Sequence, residues 1–249
     1  MNALIRYRYH IIAALILLTI LLMGARTKTS HVSHSASELP KVHQTLQQEQ
    51  AVELFSQPNA GMALNANYSK DQRRTLLNMV RKSLPTADQS KAFEIAHSVI
   101  SEANHHGMDP FFLLAVITTE SHFNIRARGT SGEVGLMQVR PETARWFAAQ
   151  AGLPEKYNLE DPAINIRIGA TYMAFLRHSF HRKGKRYIAA YNMGATNVRR
   201  LIAQQTEPAV YPARVINNYE QIYMAIAASA PHYATRGVAS IQRGLASVE

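Results

Sequence analysis

The sequence contains no cysteine, which excludes disulfide bonds and thiolate metal ligands. A glycine-rich phosphate loop and a nucleophile elbow are also missing from its 249 residues. Two histidine pairs, His105 with His106 and His178 with His181, lack the spacing by which a helix presents two histidines and an acid to one metal ion. We interpret these histidines as solvated surface residues. The sequence therefore predicts neither a cofactor nor a metal ion.

Acidic residues are few: 17 Asp and Glu stand against 27 Lys and Arg, a formal net charge of +10 at pH 7. Such an excess attracts polyanions, among them nucleic acid, anionic lipid headgroups and a carboxylate-bearing cell wall. The basic residues are scattered, and no nucleic-acid-binding signature accompanies them. We therefore expect attraction to a wall or a membrane and no nucleic-acid partner.

One apolar run stands close to the N-terminus, at residues 11–23. Arg6 and Arg8 precede it and a polar tract begins at Arg26, which is the arrangement of a secretory signal. The run is shorter than the roughly 20 residues that a membrane span needs, and only a poor cleavage site follows it. Residues 1–26 are therefore predicted to be a cleaved signal peptide or a retained signal anchor. In the second case residues 4–24 associate with the inner membrane, and in both cases the rest of the chain is exported.

The next segment, residues 27–68, is rich in Ser, His, Gln and Asn and has little apolar periodicity. It predicts a polar linker that is largely disordered, with one short helix around residues 41–55. The folded domain is predicted at residues 69–229, with a core at 85–228 that carries the motifs described below. Residues 230–249 are a C-terminal tail without a clear pattern.

Strand signals are almost absent from residues 69–229, whereas helical periodicity recurs, so we predict an all-α domain. Asp109 and Pro110 are a preferred helix start, because Asp accepts from free amides and Pro sacrifices no hydrogen bond at the first position. The helix that follows is apolar nearly all round and should be the central buried helix. A loop or small hairpin is expected at residues 126–134. The other predicted helices cover residues 86–106, 141–152, 162–181, 186–191, 195–203 and 212–228.

Glu120 stands at the C-terminal end of the predicted central helix. Burial and the negative end of the helix dipole both disfavour its ionised form, so we expect a raised pKa. A carboxyl group that stays protonated near neutral pH can act as the general acid in cleavage of a glycosidic bond. For a lone glutamate, an ordinary helix-end carboxylate would be the better interpretation.

Three sequence blocks around this helix make an ordinary helix-end carboxylate the weaker interpretation of Glu120. Glu-Ser-His-Phe-Asn at 120–124 leads through a loop into Gly-Leu-Met-Gln at 135–138 and Pro141; Ala-Tyr-Asn-Met-Gly follows at 190–194; and Tyr211 precedes Val215 and Tyr219. In this order and spacing, over residues 85–228, they resemble the catalytic domain of the soluble-type (SLT) lytic transglycosylases, relatives of goose-type lysozymes. The resemblance implies a lysozyme-like helical fold.

The resemblance also implies a reaction on peptidoglycan glycan strands in the bacterial periplasm or cell envelope. Glu120 would protonate the oxygen that links N-acetylmuramic acid to N-acetylglucosamine through a β-1,4 bond. The 2-acetamido oxygen would stabilise the cationic centre, because the family's positions supply no second carboxylate. The ionised Glu120 would then take the proton of the C6 hydroxyl, whose attack on C1 gives a 1,6-anhydromuramic end.

Five further residues receive substrate-binding roles from the same resemblance. Gln138 would hydrogen-bond an acetamido group, and Tyr191 would offer its hydroxyl to Glu120 or to the acetamido oxygen. Asn192 would hold the loop after its helix, Gly135 would let the backbone approach the sugar, and Tyr211 would form a wall of the cleft. The alternatives are a capping amide for Gln138, a buried core tyrosine for Tyr191 and a turn glycine for Gly135.

The sequence departs from the family pattern at several positions. Gly129 stands where a serine is usual, and Ser131 would replace that hydroxyl if the loop shifts. Glu133 stands where a small residue is usual, Arg140 where an apolar one is, and Met193 where a small one is. We expect Glu133 to face solvent. As a second carboxylate, it would instead allow water to attack.

Two other functions therefore remain open beside the lytic transglycosylase. The first is a lysozyme-like hydrolase of the same substrate, which the mass of the product would separate from a transglycosylase. The second is an inactive wall-binding module in an envelope or secretion assembly, against which the combination of Glu120, Gln138 and Tyr191 argues.

Overall fold

The structure is a computed structural model that describes residues 39–40, 44–55 and 69–229. The predicted signal at 1–26, most of the linker and the tail at 230–249 lie outside the described residues. The described residues form these helices: α1 (Gln44–Phe55), α2 (Ser69–Ser83), a 3₁₀ helix (Thr86–Lys91), α3 (Ala92–His105), α4 (Pro110–Ser121), α5 (Pro141–Phe147), α6 (Pro162–Ser179), α7 (Gly184–Met193), α8 (Ala195–Ala203) and α9 (Val210–Ser229).

The prediction of an all-α domain is confirmed, and it is the helical architecture that the SLT resemblance implies. Among the described residues, β-structure is limited to two isolated bridges, which join Val134 to Arg128 and to Val139. They form the small hairpin-like loop predicted after the central helix. No helix in the described ranges is long and apolar enough to cross a membrane.

Helix α4 is the central helix, as its composition predicts. Its first eight side chains, from Pro110 to Ile117, are all buried. Asp109 caps it by accepting a hydrogen bond of 3.0 Å from the amide of Phe111. Helix α9 packs along α4, and α3 packs against both α4 and α6. Helix α7 contacts α6, α8 and α9. Because α9 and α3 both pack on α4, the helix that carries Glu120 in its last turn is largely buried.

The predicted bounds differ most from the structure for two helices. The segment 86–106 is divided into the 3₁₀ helix and α3. The 3₁₀ helix buries Asp88, which accepts two hydrogen bonds of 3.0 Å from Arg126 and so ties this turn to the loop after α4. The helix after Pro141 ends at Phe147, and the chain continues in turns to Gly152, whose φ of 66° ends the segment.

Helix α1 (Gln44–Phe55) lies within the segment that was predicted to be a polar linker with one short helix. The short helix expected at 41–55 is present, and it is packed into the domain rather than left in solvent. Its Glu53 forms an ion pair with Arg177 of α6, and both side chains are only 6% exposed. Its Gln50 donates a hydrogen bond of 2.6 Å to the buried hydroxyl of Tyr187. The folded body therefore includes α1, because its polar side chains find buried partners far along the sequence.

Gly184, the first residue of α7, shows how closely α1 approaches. An added Cβ at this position would lie 2.5 Å from the carbonyl oxygen of Glu53. The absence of a side chain therefore lets the backbones of the two helices meet.

Asp109 connects the beginning of α4 to α9. Its carboxylate is fully buried and accepts hydrogen bonds of 2.5 Å from Tyr219 and 2.6 Å from Tyr223. Burial raises the pKa of Asp109 to about 6, although these two bonds and the bond from the Phe111 amide act to lower it. The carboxyl group is therefore held more easily as the acid in the folded protein than in the unfolded chain.

This shift predicts a specific dependence of stability on pH. The folded-state pKa of about 6 lies above the ordinary value of 3.8, so the contribution of Asp109 is fully present below pH 3.8 and is lost as the pH rises through 6. We expect the loss to be about 3 kcal/mol of unfolding free energy. Asp109→Asn, which keeps an oxygen acceptor for both tyrosines, should remove this part of the pH dependence. Urea unfolding of both proteins at acid and neutral pH measures it, and a difference that stays constant with pH contradicts the prediction.

Candidate active site

Glu120 lies in the last turn of α4, where α9 and the loop after α4 meet it. Its carboxylate accepts a hydrogen bond from the hydroxyl of Tyr211, which stands in the first turn of α9. Glu120 is partly buried and Tyr211 is buried. The acid is therefore neither sealed in the core nor free in solvent.

The expected raised pKa of Glu120 is confirmed. Burial is the largest cause and raises it, while the hydrogen bond from Tyr211 and the positive charge of Arg214 act to lower it. The negative charge of Glu133 raises it further. Because burial outweighs the groups that favour the carboxylate, Glu120 retains its proton at a higher pH than an exposed glutamate does.

The end of α4 is fixed by local hydrogen bonds. Ser121 donates to the carbonyl of Ile117 at 3.2 Å, which agrees with its expected role in support of the helix end. The following residues, His122 and Phe123, have φ of 49° and 62° and turn the chain sharply out of the helix. The side chain of Phe123 is buried, so this turn is anchored in the core and Glu120 is held at a defined position.

The Gly-Leu-Met-Gln segment forms a tight turn beside the acid. Gly135 has a φ of 75°, and an added Cβ would lie 2.6 Å from the side-chain nitrogen of Asn165. The turn interpretation of this glycine is therefore supported, because both its backbone and its surroundings exclude a side chain. Met137 is fully buried, as expected for core packing.

Asn165 is the functional support that sequence reasoning missed. Its fully buried amide accepts from the backbone of Met137 at 2.9 Å and donates to the carbonyl of Val134 at 2.8 Å. It reaches the loop from the first turn of α6, and so fixes the loop to a helix. The only available signal was a polar residue inside the apolar pattern of α6.

Gln138 lies at the end of this turn with a φ of 45° and is partly buried. Its side-chain nitrogen donates a hydrogen bond of 2.9 Å to the carbonyl of Gly135. This bond is the one expected of a capping amide, and it fixes the orientation of the side chain. A role in substrate binding stays a prediction.

The tyrosine that donates a hydrogen bond to Glu120 in the structure is Tyr211 and not Tyr191. Tyr191 donates its hydroxyl hydrogen to the carbonyl of Met137 at 2.9 Å, whereas the donor to Glu120 is Tyr211. Tyr191 is still close enough for the charge of Glu120 to raise its pKa, after burial as the larger cause. Tyr191 therefore supports the loop, and Tyr211, predicted only as a cleft wall, contacts the acid.

Asn192 and Ser131 are both exposed. Asn192 lies in the last turn of α7, but the side chain that bonds the connection after this helix is Asn197, which donates to the carbonyl of Met193 at 2.7 Å. Ser131 contributes its backbone amide, which donates to the carboxylate of Glu133 at 3.0 Å. The expectation that Glu133 faces solvent is wrong, since its side chain is only 24% exposed.

Comparison with known proteins agrees with this geometry. Residues 97–212, which contain Glu120, Gln138, Tyr191 and Tyr211, match the model of the transglycosylase SLT domain. The resemblance found in the sequence is therefore confirmed, and residues 97–212 are similar to the transglycosylase SLT domain.

Similar curated proteins are membrane-bound lytic murein transglycosylases C. The protein of Actinobacillus succinogenes is 32% identical over 142 residues, covering 52% of this chain and 39% of its own. The protein of Yersinia enterocolitica is 30% identical over 166 residues, which cover 60% of this chain and 46% of that protein. The match to each relative thus extends over less than half of that relative's length.

Solved structures of similar proteins include the 70-kDa soluble lytic transglycosylase of Escherichia coli. It is 20% identical, with a TM-score of 0.49 over 62% of this chain and 29% of that protein. An inactive mutant of the lytic transglycosylase Slt from Pseudomonas aeruginosa is 22% identical, with a TM-score of 0.44 over 74% of this chain and 34% of that protein.

Proposed function

We propose that the protein is a peptidoglycan lytic transglycosylase that cleaves the β-1,4 bond between N-acetylmuramic acid and N-acetylglucosamine and leaves 1,6-anhydromuramic ends. The observation that carries this proposal is the environment of Glu120. Its carboxyl group is partly buried at the end of an apolar helix, its pKa is raised, and Tyr211 orients it by a hydrogen bond. These are the properties required of a general acid near neutral pH.

In the first step, Glu120 donates its proton to the oxygen of the glycosidic bond as the bond from that oxygen to C1 breaks. The leaving sugar recovers a hydroxyl group, and the ring that keeps C1 becomes cationic. The Tyr211 hydrogen bond and the positive charge of Arg214 both favour ionised Glu120. They therefore stabilise the carboxylate that this step produces.

In the second step, the carboxylate of Glu120 takes the proton of the C6 hydroxyl while that oxygen attacks C1. Glu120 returns to its protonated form, and no water is consumed. Because the hydroxyl belongs to the same sugar, its attack is intramolecular and has a large entropic advantage over attack by a second molecule. We assign the stabilisation of the cationic C1 to the substrate's own 2-acetamido oxygen.

We assign contacts with the acetamido groups to Gln138 and Tyr191. Both side chains are partly buried, and each is oriented by a hydrogen bond to the Gly-Leu-Met-Gln turn. The charge of Glu120 also raises the pKa of Tyr191, after burial as the larger cause. Orientation before binding lowers the entropic cost of each contact with the sugar. In this assignment Gly135 does not contact the sugar through a side chain; it allows the turn that positions Gln138.

We place the protein in the bacterial cell envelope. The similar proteins are named as membrane-bound, and residues 1–26 have the pattern of a secretory signal or anchor. The net charge of +10 favours contact with an anionic wall.

Digestion of purified peptidoglycan by the full-length protein tests the proposed reaction. We expect soluble fragments whose muramic ends are lighter by one water molecule than the reducing ends made by a hydrolase, and mass spectrometry of the fragments distinguishes the two. Reducing ends would contradict the transglycosylase mechanism and favour a hydrolase, for which the partly buried carboxylate of Glu133 is the supporting observation. Binding to the wall without any fragments would contradict both and favour a wall-binding module.

A further inference from the structure

A side chain at position 129 is excluded by the neighbouring Glu133 side chain and not by the backbone conformation of Gly129. An added Cβ would lie 2.2 Å from Oε2 and 2.9 Å from Cβ of Glu133, and 3.0 Å from Oε1 of Gln138. Its φ lies outside the left-handed region that favours glycine. The missing side chain therefore leaves the space that the Glu133 carboxylate occupies.

The Glu133 carboxylate is held in this space by its own loop. Its Oε2 accepts from the amide of Ser131 at 3.0 Å, and the amide of Gly129 donates to the backbone carbonyl of Glu133 at 2.9 Å. On the outer side, Oε1 lies 3.9 Å from the side chain of Arg140. The turn thus closes on itself with the carboxylate folded over Gly129.

Four groups surround Glu120 from three elements. Tyr211 and Arg214 face it from α9, Tyr191 from α7, and Glu133 from the loop. Tyr211 and Arg214 favour the carboxylate form of Glu120, whereas the negative charge of Glu133 opposes it. The acid therefore experiences opposing effects from the negative charge of Glu133 and the positive charge of Arg214.

We propose that Gly129 and Glu133 form a functional pair, in which the space at Gly129 seats the Glu133 carboxylate in the loop beside Glu120 and makes Glu133 a positioning residue for that acid. The inference rests on the proposed function, in which Glu120 is the general acid.

Paired charge variants test the electrostatic part. Glu133→Gln should move the basic limb of the pH profile of kcat to lower pH, and Arg214→Gln should move it to higher pH, each by on the order of half a pH unit to one unit. Glu142→Gln is the matched control, because Glu142 also lies 3.9 Å from Arg140 but is 60% exposed. Shifts of the same sign, or no shift for Glu133→Gln, would overturn the proposal.

A double-mutant cycle tests the steric part. Gly129→Ala should displace the Glu133 carboxylate and shift the pH profile in the same direction as Glu133→Gln. In a Glu133→Gly protein, both close contacts with residue 133 are relieved, so adding Gly129→Ala should change the profile little. Equal effects of Gly129→Ala in the two backgrounds would show that the pair does not act as a unit. If Gly129→Ala does not fold alone but folds in the Glu133→Gly background, that rescue itself supports the pairing.

The titration of Glu120, followed directly by NMR of its carboxyl carbon, separates this inference from the proposed function. If the charge variants shift that titration but the protein releases no wall fragments, the pairing stands and the proposed function fails. If Glu120 is required for lysis but its titration ignores Glu133, the function stands and the pairing fails.

Discussion

Replacement of Glu120 by glutamine is expected to lower the rate of peptidoglycan cleavage by about a hundredfold to ten-thousandfold. Glutamine has the same shape and still offers an oxygen to the Tyr211 hydroxyl, but it has no acidic proton for the leaving sugar. In the wild-type protein, the raised pKa keeps this proton available at a higher pH than an ordinary glutamate would. The release of soluble fragments from purified peptidoglycan measures the effect.

Two controls show whether this loss is chemical. Sedimentation with peptidoglycan should be unchanged for Glu120→Gln, because the variant removes a proton donor and keeps the shape of the cleft. Tyr211→Phe keeps the acid and removes only its hydrogen bond, so its loss should be smaller, about tenfold. Wild-type lysis by Glu120→Gln would exclude Glu120 as the acid.

Replacement of Glu53 by alanine is expected to cost about 3–5 kcal/mol of the free energy that holds α1 on the domain, because it leaves the buried charge of Arg177 without its partner. Arg177 would retain only carbonyl acceptors, such as that of Gly107 at 2.8 Å. We expect α1 to separate before the rest unfolds, since the Glu53–Arg177 pair is its ion pair with both side chains buried. Hydrogen exchange of the α1 amides and limited proteolysis measure the separation.

The chain provides a matched control for this prediction. Arg182 and Glu49 form a second ion pair between the same two regions, at 3.2 Å, but their side chains are 55% and 50% exposed. Glu49→Ala should therefore cost only about 0–1 kcal/mol. If the α1 amides are equally protected from hydrogen exchange in the two variants, burial of the Glu53–Arg177 pair does not decide whether α1 stays docked.

Local signals were sufficient to predict the central part of the fold. Asp109 and Pro110 marked the beginning of α4, its apolar composition predicted burial, and Glu120 followed as the residue at its end. These inferences succeeded because a helix start, a buried helix and a helix-end acid are all determined by residues close together in the sequence. The family blocks then placed Gln138 and Tyr191 near the same acid.

The contacts that sequence reasoning missed form only once the chain has folded. Glu53 and Arg177 are separated by 124 positions, and nothing in the polar segment around Glu53 announces a buried partner. Tyr191 and Tyr211 have the same chemistry, so only the packing of α7 and α9 decides which one contacts Glu120. Glu133 was expected in solvent, because the space that receives it exists only once the loop has closed over Gly129.

The antiparallel contact between α4 and α9 has a consequence for how the acid is aligned. Tyr219 and Tyr223 donate hydrogen bonds to Asp109 at the beginning of α4, and Tyr211 donates one to Glu120 near its end. These two attachments are about 16 Å apart along the helix axis. A substitution at the remote attachment would let one helix slide along the other and misalign the proton donor, although no bound sugar would ever touch the altered residue.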